Sequence, residues 1–422
     1  MSNEHDVRPP ARAWPTGDYT RTPYWVYTDQ DVFDREMEVI FRGPNWSLLA
    51  LECEIPNPGD FVTRFVGTTP VVVQRAQNGS IRAFVNRCSH KGMQVVRELS
   101  GNRRSHICPY HQWCYGPDGA LLSVPLQHGD AGHGGMPADF DKKEHGMRAL
   151  RTEILAGVVF GTLDPAAPEL KDFLGEKVVG RVLRTLKRPL RVSGYHRHTL
   201  KANWKLFAEN SRDAYHAPML HPFLPTFGFM SPSDRGACEI SGSGVHSLIS
   251  VFNDADDSRT ERGKQSHREP QLEDPSLMEG FKENDEGLSL NIISIFPSTL
   301  FTCVGNTLSV RQIRPKGVDM VELLYIHFGF ADDTPEQRAM RRKQANLFGP
   351  AGYVAIEDVE ALELTQAAIA KGEDRGASLI EMGGRGVENQ PHVVTELPIR
   401  GFWKGYSTQM GYASQASGAT VD

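Results

Sequence analysis

The sequence has few cysteines and no long apolar run. Its longest stretch dominated by apolar residues, 154–163, is far shorter than the roughly 20 residues that a membrane-spanning helix needs. The N-terminus, MSNEHDVRPPARAW, is polar and carries no apolar signal segment, so we expect a cytoplasmic protein without a membrane partner. Six cysteines in 422 residues are too few and too scattered for a disulfide framework, which leaves free thiols or metal ligands.

Basic runs and nucleotide-binding fingerprints are also missing from the sequence. The formal net charge is -6 without a basic cluster, which argues against nucleic acid as the main partner. No G-x-G-x-x-G follows a predicted strand, so no nicotinamide or flavin site is expected on this chain. The composition is that of a globular protein, and 422 residues exceed what one hydrophobic core usually serves, so two domains are expected.

Short β-branched and aromatic runs dominate the chain between residues 45 and 165. FVTRFV, PVVVQRA and IRAFVN are typical of strands, and Asn78-Gly79 between the last two indicates a hairpin turn. Asp118-Gly119 indicates a second turn, between HQWCY and ALLSV. The sequence therefore predicts a compact all-β domain at 45–165, preceded by an N-terminal segment at 1–44.

Helical periodicity begins after residue 166, between strand-like runs such as LNIISIF and TLSVRQI. Three stretches carry the helical pattern, at 203–217, 335–348 and 355–371. The stretch 253–274 is charged and typical of a loop. We therefore expect an α+β domain at 166–422.

Two short loops of the predicted β domain each carry one cysteine and one histidine. The first has Cys88 and His90, and the second, after seventeen intervening residues, has Cys108 and His111. Thiolates and imidazoles are metal ligands of zinc and of iron-sulfur clusters. A Rieske [2Fe-2S] centre takes two cysteines on one iron and two histidines on the other, so each loop must supply one of each. The spacing favours a Rieske centre, with tetrahedral zinc as the alternative.

The loops CSHKG and CPYHQW resemble the Rieske domain of the aromatic-ring-hydroxylating oxygenases, in their large (alpha) subunit. That family commonly has an arginine after the first histidine, where this chain has Lys91. The resemblance extends over nearly the whole chain, from TPYWVYT to RGFWKGY. It implies an α+β fold class, with an all-β Rieske domain inserted near the N-terminus of a larger catalytic domain that has a helix-grip-like antiparallel sheet flanked by helices.

A second set of candidate ligands lies in NWKLFAENSRDAYHAPMLHPF. On a helix over 203–217, Asp213 and His216 share the face opposite the aromatic residues. Pro218 argues that the helix bends before His221, and a bend allows both imidazoles to reach one metal. Two histidines and one carboxylate form the facial triad of non-haem Fe(II) oxygenases.

The third ligand must be an acid that is distant in sequence. Chemistry alone leaves four candidates open: Glu357, Asp358, Glu360 and Glu363. The pattern E-N-x-x-D-x-Y-H-x4-H, from Glu209 to His221, is similar to the family's catalytic motif. The family places its ligand aspartate shortly after an FGPAG-like turn, which this chain has at 348–352, so the resemblance implies Asp358.

The resemblance also implies a route for electrons. In that family the cooperating cluster and iron belong to two neighbouring subunits of a trimer, and an acid three residues before the first iron histidine bridges them. Carried over to this chain, Asp213 bridges His111 of a neighbouring subunit to His216, and Asn210 is a further catalytic residue of the motif.

Stretches such as GNTLSVRQIRPKG and RGFWKGY are most similar to the anthranilate, salicylate and terephthalate oxygenases within the family. A buried substrate carboxylate requires a cation, and guanidinium binds it in a bidentate way. The resemblance implies Arg311 and Arg400 for this role, and His246 is a further candidate for the substrate pocket.

The function implied is that of a terminal oxygenase alpha subunit, which uses O2 to hydroxylate or cis-dihydroxylate an aromatic acid. Its expected cofactors are the [2Fe-2S] cluster and a mononuclear Fe(II), with NADH supplying electrons through a separate reductase or ferredoxin. The expected assembly is an α3 trimer or an α3β3 hexamer with a small β subunit. The alternatives are an oxygenase for neutral aromatic hydrocarbons and an electron-transfer Rieske protein without oxygenase chemistry.

Overall fold

The computed structural model describes residues 12–412, apart from 228, 242–243, 253–273, 278, 284–286 and 372–375. The predicted loop at 253–274 therefore lies, except for its last residue, outside the described residues. The chain forms two compact units. The β unit comprises Phe41–Phe173 and Leu186–Leu190, and the α+β unit comprises Leu174–Thr185 with the described residues before Phe41 and after Leu190.

The described strands fall into four sheets, and their pairings are antiparallel. In chain order the strands are β1 (Arg21–Pro23), β2 (Ser47–Leu51), β3 (Asp60–Val66), β4 (Thr69–Arg75), β5 (Ile81–Val85), β6 (Ser100–Asn102), β7 (His106–Ile107), β8 (Cys114–Tyr115), β9 (Leu121–Ser123), β10 (Ala149–Leu155), β11 (Val158–Thr162), β12 (Leu190–Leu200), β13 (Arg235–Ile240), β14 (Ser247–Phe252), β15 (Leu288–Ile295), β16 (Thr299–Val304), β17 (Thr307–Gly317), β18 (Met320–Phe330) and β19 (Ala377–Leu379). The helices are α1 (Trp25–Thr28), α2 (Gln30–Glu36), α3 (Leu170–Thr185), α4 (Trp204–Asn210), α5 (Ala217–Leu220), α6 (Phe223–Thr226), α7 (Pro335–Phe348), α8 (Tyr353–Lys371) and α9 (Leu397–Met410). Within the described ranges, no helix is both long and apolar enough to span a membrane.

The β unit contains a seven-stranded sheet in the order β2-β11-β10-β5-β4-β3-β6 and a small sheet in the order β7-β8-β9. The predicted hairpin is present, since β4 pairs with β5 across a turn in which Gly79 has the positive φ of 84° that glycine tolerates. One Cys-His loop follows β5, and the other lies between β7 and β8. The two loops are therefore held by strands of the same unit.

The α+β unit is built on a seven-stranded sheet in the order β12-β18-β17-β16-β15-β14-β13. Its longest central strands, β17 and β18, are mostly buried, as their apolar and β-branched residues require. α7 starts at a capping box in which Thr334 Oγ1 accepts from the Gln337 amide and Gln337 Oε1 accepts from the Thr334 amide. The mixed α+β class predicted for this part of the chain is confirmed.

The helix predicted over 203–217 is wrong in its extent. α4 ends at Asn210, and α5 starts only at Ala217. In the intervening turn, Asp213 Oδ1 accepts hydrogen bonds from the backbone amides of Tyr215 (3.0 Å) and His216 (3.1 Å). These bonds to a side chain replace helical bonds to backbone carbonyls, as short acidic side chains often do near helix ends.

The first described residues pack within the α+β unit. The rings of Trp14 and Trp403 lie 5.3 Å apart between centroids, and Trp14 is fully buried. Farther along, Glu36 is buried and accepts a hydrogen bond from Trp204 Nε1 (2.7 Å) while pairing with Lys205 Nζ (2.6 Å). These contacts fix α4, the helix that leads into the histidine-bearing turn.

Candidate metal centres

The two Cys-His loops have the same backbone conformation. The amide of Cys88 donates to the carbonyl five residues later (2.8 Å), and the amide four residues later donates back to the Cys88 carbonyl (2.9 Å). The loop at Cys108 repeats both bonds at 2.9 Å. The residue four positions after each cysteine is left-handed, with φ of 73° at Gly92 and 57° at Gln112. The two cysteines therefore start similar turns, and the histidine follows two residues after Cys88 and three residues after Cys108.

The cysteines of these loops are buried and the histidines are exposed. Cys88 and Cys108 are 3% and 1% accessible, and the imidazole centroids of His90 and His111 lie 4.6 Å apart. The ring of His90 stacks on Trp113 at 4.8 Å. Sulfur ligands inside and nitrogen ligands at the surface fit a cluster with one iron held by thiolates and the other by imidazoles.

The environment of the thiols also fits a bound metal. Burial, together with the neighbouring thiol of Cys88, raises the pKa of Cys108 above its ordinary value. Without a metal this thiol is protonated near neutral pH, and a metal displaces the proton. Tyr115 Oη lies 3.1 Å from Cys88 Sγ and accepts a hydrogen bond from the Ser89 amide (3.0 Å), so the loop is bonded to β8.

His216, His221 and Asp358 come together in the α+β unit. Asp358 Oδ1 lies 3.3 Å from His216 Nε2 and 3.2 Å from His221 Nε2, and the three ligand atoms lie within 4.8 Å of one another. The two histidines flank the short helix α5, and Asp358 lies on α8. Two imidazoles and one carboxylate could hold a mononuclear iron on one side and leave its other positions open.

Hydrogen bonds fix the orientation of this triad. Asn210 donates from Nδ2 to Asp358 Oδ1 (2.9 Å) and lies 3.3 Å from His216 Nε2. Behind the imidazoles, Asp213 Oδ2 lies 3.6 Å from His216 Nδ1, and Glu357 Oε2 lies 2.8 Å from His221 Nδ1. Both histidines therefore present Nε2 to the centre and Nδ1 to a carboxylate, the arrangement that orients metal-binding imidazoles.

Of the four acids that chemistry left open, Asp358 is the one that meets both imidazoles. Glu357 contacts His221 on the opposite side of the ring, a role that the sequence did not suggest. Glu363 accepts from the Lys201 amide (2.8 Å), and Glu360 is exposed. Although burial opposes protonation of His216, the carboxylates of Asp213 and Asp358 raise its pKa to about 10. The metal-free site therefore holds a proton that a metal must displace.

A cavity opens beside this triad, with one wall formed by strands β14 to β17. Its walls are largely apolar, with side chains that include Phe207, Leu224, Ile249, Leu290, Ile292, Leu300 and Phe348. Arg311 is the one arginine or lysine among the described residues that line it. Its guanidinium carbon lies 4.5 Å from the Tyr325 ring centroid, and its Nε is buried without a hydrogen-bond partner in the described part of the chain.

The structure does not place Arg400 and His246 on this cavity. Arg400 is fully buried, and its guanidinium donates to the backbone carbonyls of Gly386 (2.9 Å), Ile380 (3.2 Å) and Met382 (3.2 Å). His246 is also fully buried, and its Nδ1 accepts from the Phe296 amide (3.0 Å). The prediction that these two residues bind substrate is therefore corrected, because their polar groups are used to hold loops in place.

Comparisons with known proteins agree with this geometry. The Rieske [2Fe-2S] domain family matches residues 45–133, and the catalytic domain of the ring-hydroxylating alpha subunit matches residues 188–411. The chain is 46% identical to the anthranilate 1,2-dioxygenase large subunit of Burkholderia cepacia, over 94% of this chain and 95% of that protein. It is 42% identical to subunit alpha 2 of the terminal oxygenase component of terephthalate 1,2-dioxygenase from Comamonas sp, over 96% of this chain and 98% of that protein.

Among solved structures, naphthalene 1,2-dioxygenase from Rhodococcus sp. bound to indole superposes with a TM-score of 0.77 at 27% identity, covering 92% of this chain and 94% of that one. The catalytic-domain match speaks against both a zinc-stabilised module and a simple electron carrier. The cofactors of such an enzyme are the [2Fe-2S] cluster and a mononuclear iron. The chain belongs to the Rieske-type ring-hydroxylating oxygenases, as an alpha subunit.

Proposed function

We propose that this chain hydroxylates an aromatic carboxylic acid as the terminal oxygenase of a multicomponent system. The observation that carries the substrate class is Arg311, a cation on the wall of an otherwise apolar cavity beside the iron triad. Its Nε makes no hydrogen bond in the described part of the chain, and a carboxylate matches a guanidinium in geometry and charge. The relatives named for anthranilate and terephthalate act on such acids.

The proposed roles divide between two sites. Cys88, His90, Cys108 and His111 would hold the cluster, and His216, His221 and Asp358 would hold the iron. When bound, these groups would supply electron transfer at the cluster and O2 activation at the iron. Arg311 holds the carboxylate, the apolar walls hold the ring and exclude water, and Asn210 keeps Asp358 in place.

The chain then depends on other proteins for its electrons and its assembly. NADH would supply electrons through a separate reductase or ferredoxin. Asp213, behind His216, would connect this imidazole to His111 of a neighbouring copy, so the working assembly would be an α3 trimer or an α3β3 hexamer with a small β subunit. The bond that Asp213 makes to the turn of His216 supports this role, because it fixes the carboxylate beside the imidazole.

The test is a substrate panel run on the wild-type protein and on Arg311→Gln. With a surrogate reductase, wild type should convert at least one of benzoate, salicylate, anthranilate, phthalate and terephthalate to a hydroxylated product. Arg311→Gln should lose about 10- to 100-fold in kcat/KM for the acid because a charged hydrogen bond is removed. Arg342→Gln, on the exposed side of α7, is the matched control. The proposal would be contradicted if the enzyme converts neutral hydrocarbons but no acid, or if Arg311→Gln has the same kcat/KM for the acid as wild type.

A further inference from the structure

Two polar groups on the sheet wall of the cavity have no partner. Thr302, on β16, is 7% accessible, and its Oγ1 is buried without a hydrogen bond in the described part of the chain. Arg311 Nε, on β17, is also buried without a hydrogen bond in that part of the chain. On the opposite wall, Asn210 bonds to Asp358 and Ser211 Oγ donates to the Ala208 carbonyl (3.0 Å). A buried polar group without a partner is costly, so the wall with Thr302 and Arg311 requires a polar ligand. His216 Nδ1 also lacks a hydrogen bond, but it faces Asp213 Oδ2 at 3.6 Å.

Strand register places these two groups on one face of the sheet. Leu300 pairs with Arg311, and Thr302 pairs with Ser309. Paired residues of antiparallel strands share a face, as do residues two apart, so Thr302 and Arg311 are diagonal neighbours about 7–8 Å apart at the backbone. The guanidinium lies over Tyr325, which is on β18 and therefore on the side of β17 away from Thr302.

A ligand that satisfies both groups must have separated polar ends. The other residues of β15 and β16 that line the cavity are apolar: Leu290, Ile292, Leu300 and Val304. An aromatic ring has flat apolar faces that pack against such side chains, and it can carry a carboxylate at one position and a second polar substituent at another. A hydroxyl both donates and accepts, so it matches an amino or a hydroxyl group, whereas a second carboxylate would require another cation.

We propose that Thr302 is the subsite for an amino or hydroxyl substituent on the ring of the aromatic acid. The proposal rests on the proposed function and narrows its substrate class to aminobenzoates and hydroxybenzoates. An unsubstituted ring leaves Thr302 Oγ1 unpaired, and discrimination is strongest where a buried polar group of the site would remain without its partner. Thr302 thus determines specificity, while Arg311 provides the common anchor.

The test compares affinities in the metal-loaded enzyme without an electron donor, so that no turnover occurs. Calorimetric titrations would use benzoate and the 2-, 3- and 4-isomers of aminobenzoate and hydroxybenzoate. Thr302→Val keeps the shape of the side chain but removes the hydroxyl. It should lower the affinity for at least one substituted acid by about 3- to 10-fold, which is the value of one neutral hydrogen bond. The affinity for benzoate should not change. Thr302→Ser, which retains the hydroxyl, should bind the same isomer within about 2-fold of wild type.

Three results separate the possible failures. If Thr302→Val lowers the affinity for benzoate and for every substituted acid equally, or lowers the affinity for none of them, the subsite assignment is overturned. If no acid binds to wild type, or Arg311→Gln binds acids as wild type does, the proposed function itself fails. Should Thr302→Val not fold, wild type alone decides, because a methylbenzoate that binds as well as the aminobenzoate and the hydroxybenzoate at every ring position would also overturn the proposal.

Discussion

At the residue scale, two neighbouring acids on one helix have different roles at the same imidazole. Asp358 Oδ1 lies 3.2 Å from His221 Nε2, and Glu357 Oε2 lies 2.8 Å from His221 Nδ1. The sequence alone could not separate these acids, because their roles depend on where α8 packs against the turn after α5. The resemblance pointed to Asp358, and no local signal pointed to Glu357.

We predict that Glu357→Ala lowers the affinity of the mononuclear site for iron by about 10- to 100-fold, because His221 loses the partner that orients its ring. The measurement is Fe(II) titration of protein whose cluster is intact, with the visible absorbance of the cluster as an internal control. Glu360→Ala is the matched variant, since Glu360 is exposed on the same helix. Equal iron affinity in both variants would show that Glu357 is only a surface acid.

At the element scale, the sequence pattern predicted secondary structure correctly where turn chemistry and burial agree. It failed where side chains compete with the backbone for hydrogen bonds. Hairpin β4-β5 formed where β-branched runs flank Asn78-Gly79, because turn chemistry and burial agree there. The continuous helix over 203–217 did not form, because the Asp213 carboxylate takes backbone amides that a helix would use. Periodicity does not report that competition, and it likewise could not show that Arg400 bonds to loop carbonyls.

The position of α4 depends on Glu209, which is adjacent to Asn210. Glu209 Oε1 accepts from Tyr27 Oη (2.8 Å) and from Trp403 Nε1. Burial raises the pKa of Glu209 to about 7, although both donors oppose the shift. A carboxyl whose pKa is raised by folding makes its full contribution to the stability of the folded protein below its unfolded-state pKa, which is near 4.3. This contribution is lost as the pH rises through the folded-state pKa of about 7.

Glu209→Gln should therefore be more stable than wild type at pH 8, by at most about 4 kcal/mol, and nearly equal to it near pH 4.5. A glutamine Oε1 can still accept both hydrogen bonds, so the charge alone is removed. The measurement is urea denaturation of both proteins at several pH values between 4.5 and 8. A stability difference that does not grow with pH would mean that Glu209 is ionised with little cost in the folded protein.

At the scale of the whole molecule, the two units carry opposite charge. By sequence the β unit has 16 basic and 13 acidic residues, a balance of +3, while the remainder of the chain balances at -9. Opposite net charges favour an encounter between the β unit of one copy and the α+β unit of another. That pairing is the one that the proposed bridge through Asp213 requires, since His111 belongs to the β unit and His216 to the α+β unit.

Mixed oligomers test whether electrons cross between copies. A chain with His111→Ala should load iron at His216, His221 and Asp358 but lack a working cluster, and a chain with His216→Ala should show the reverse. Each parent is expected to be inactive in product formation. Co-assembled under two affinity tags, the two should recover part of the wild-type activity, because an intact cluster of one copy then faces an intact iron site of another. Oligomers that carry both metals and stay inactive would place the transfer within one chain and remove the bridging role from Asp213.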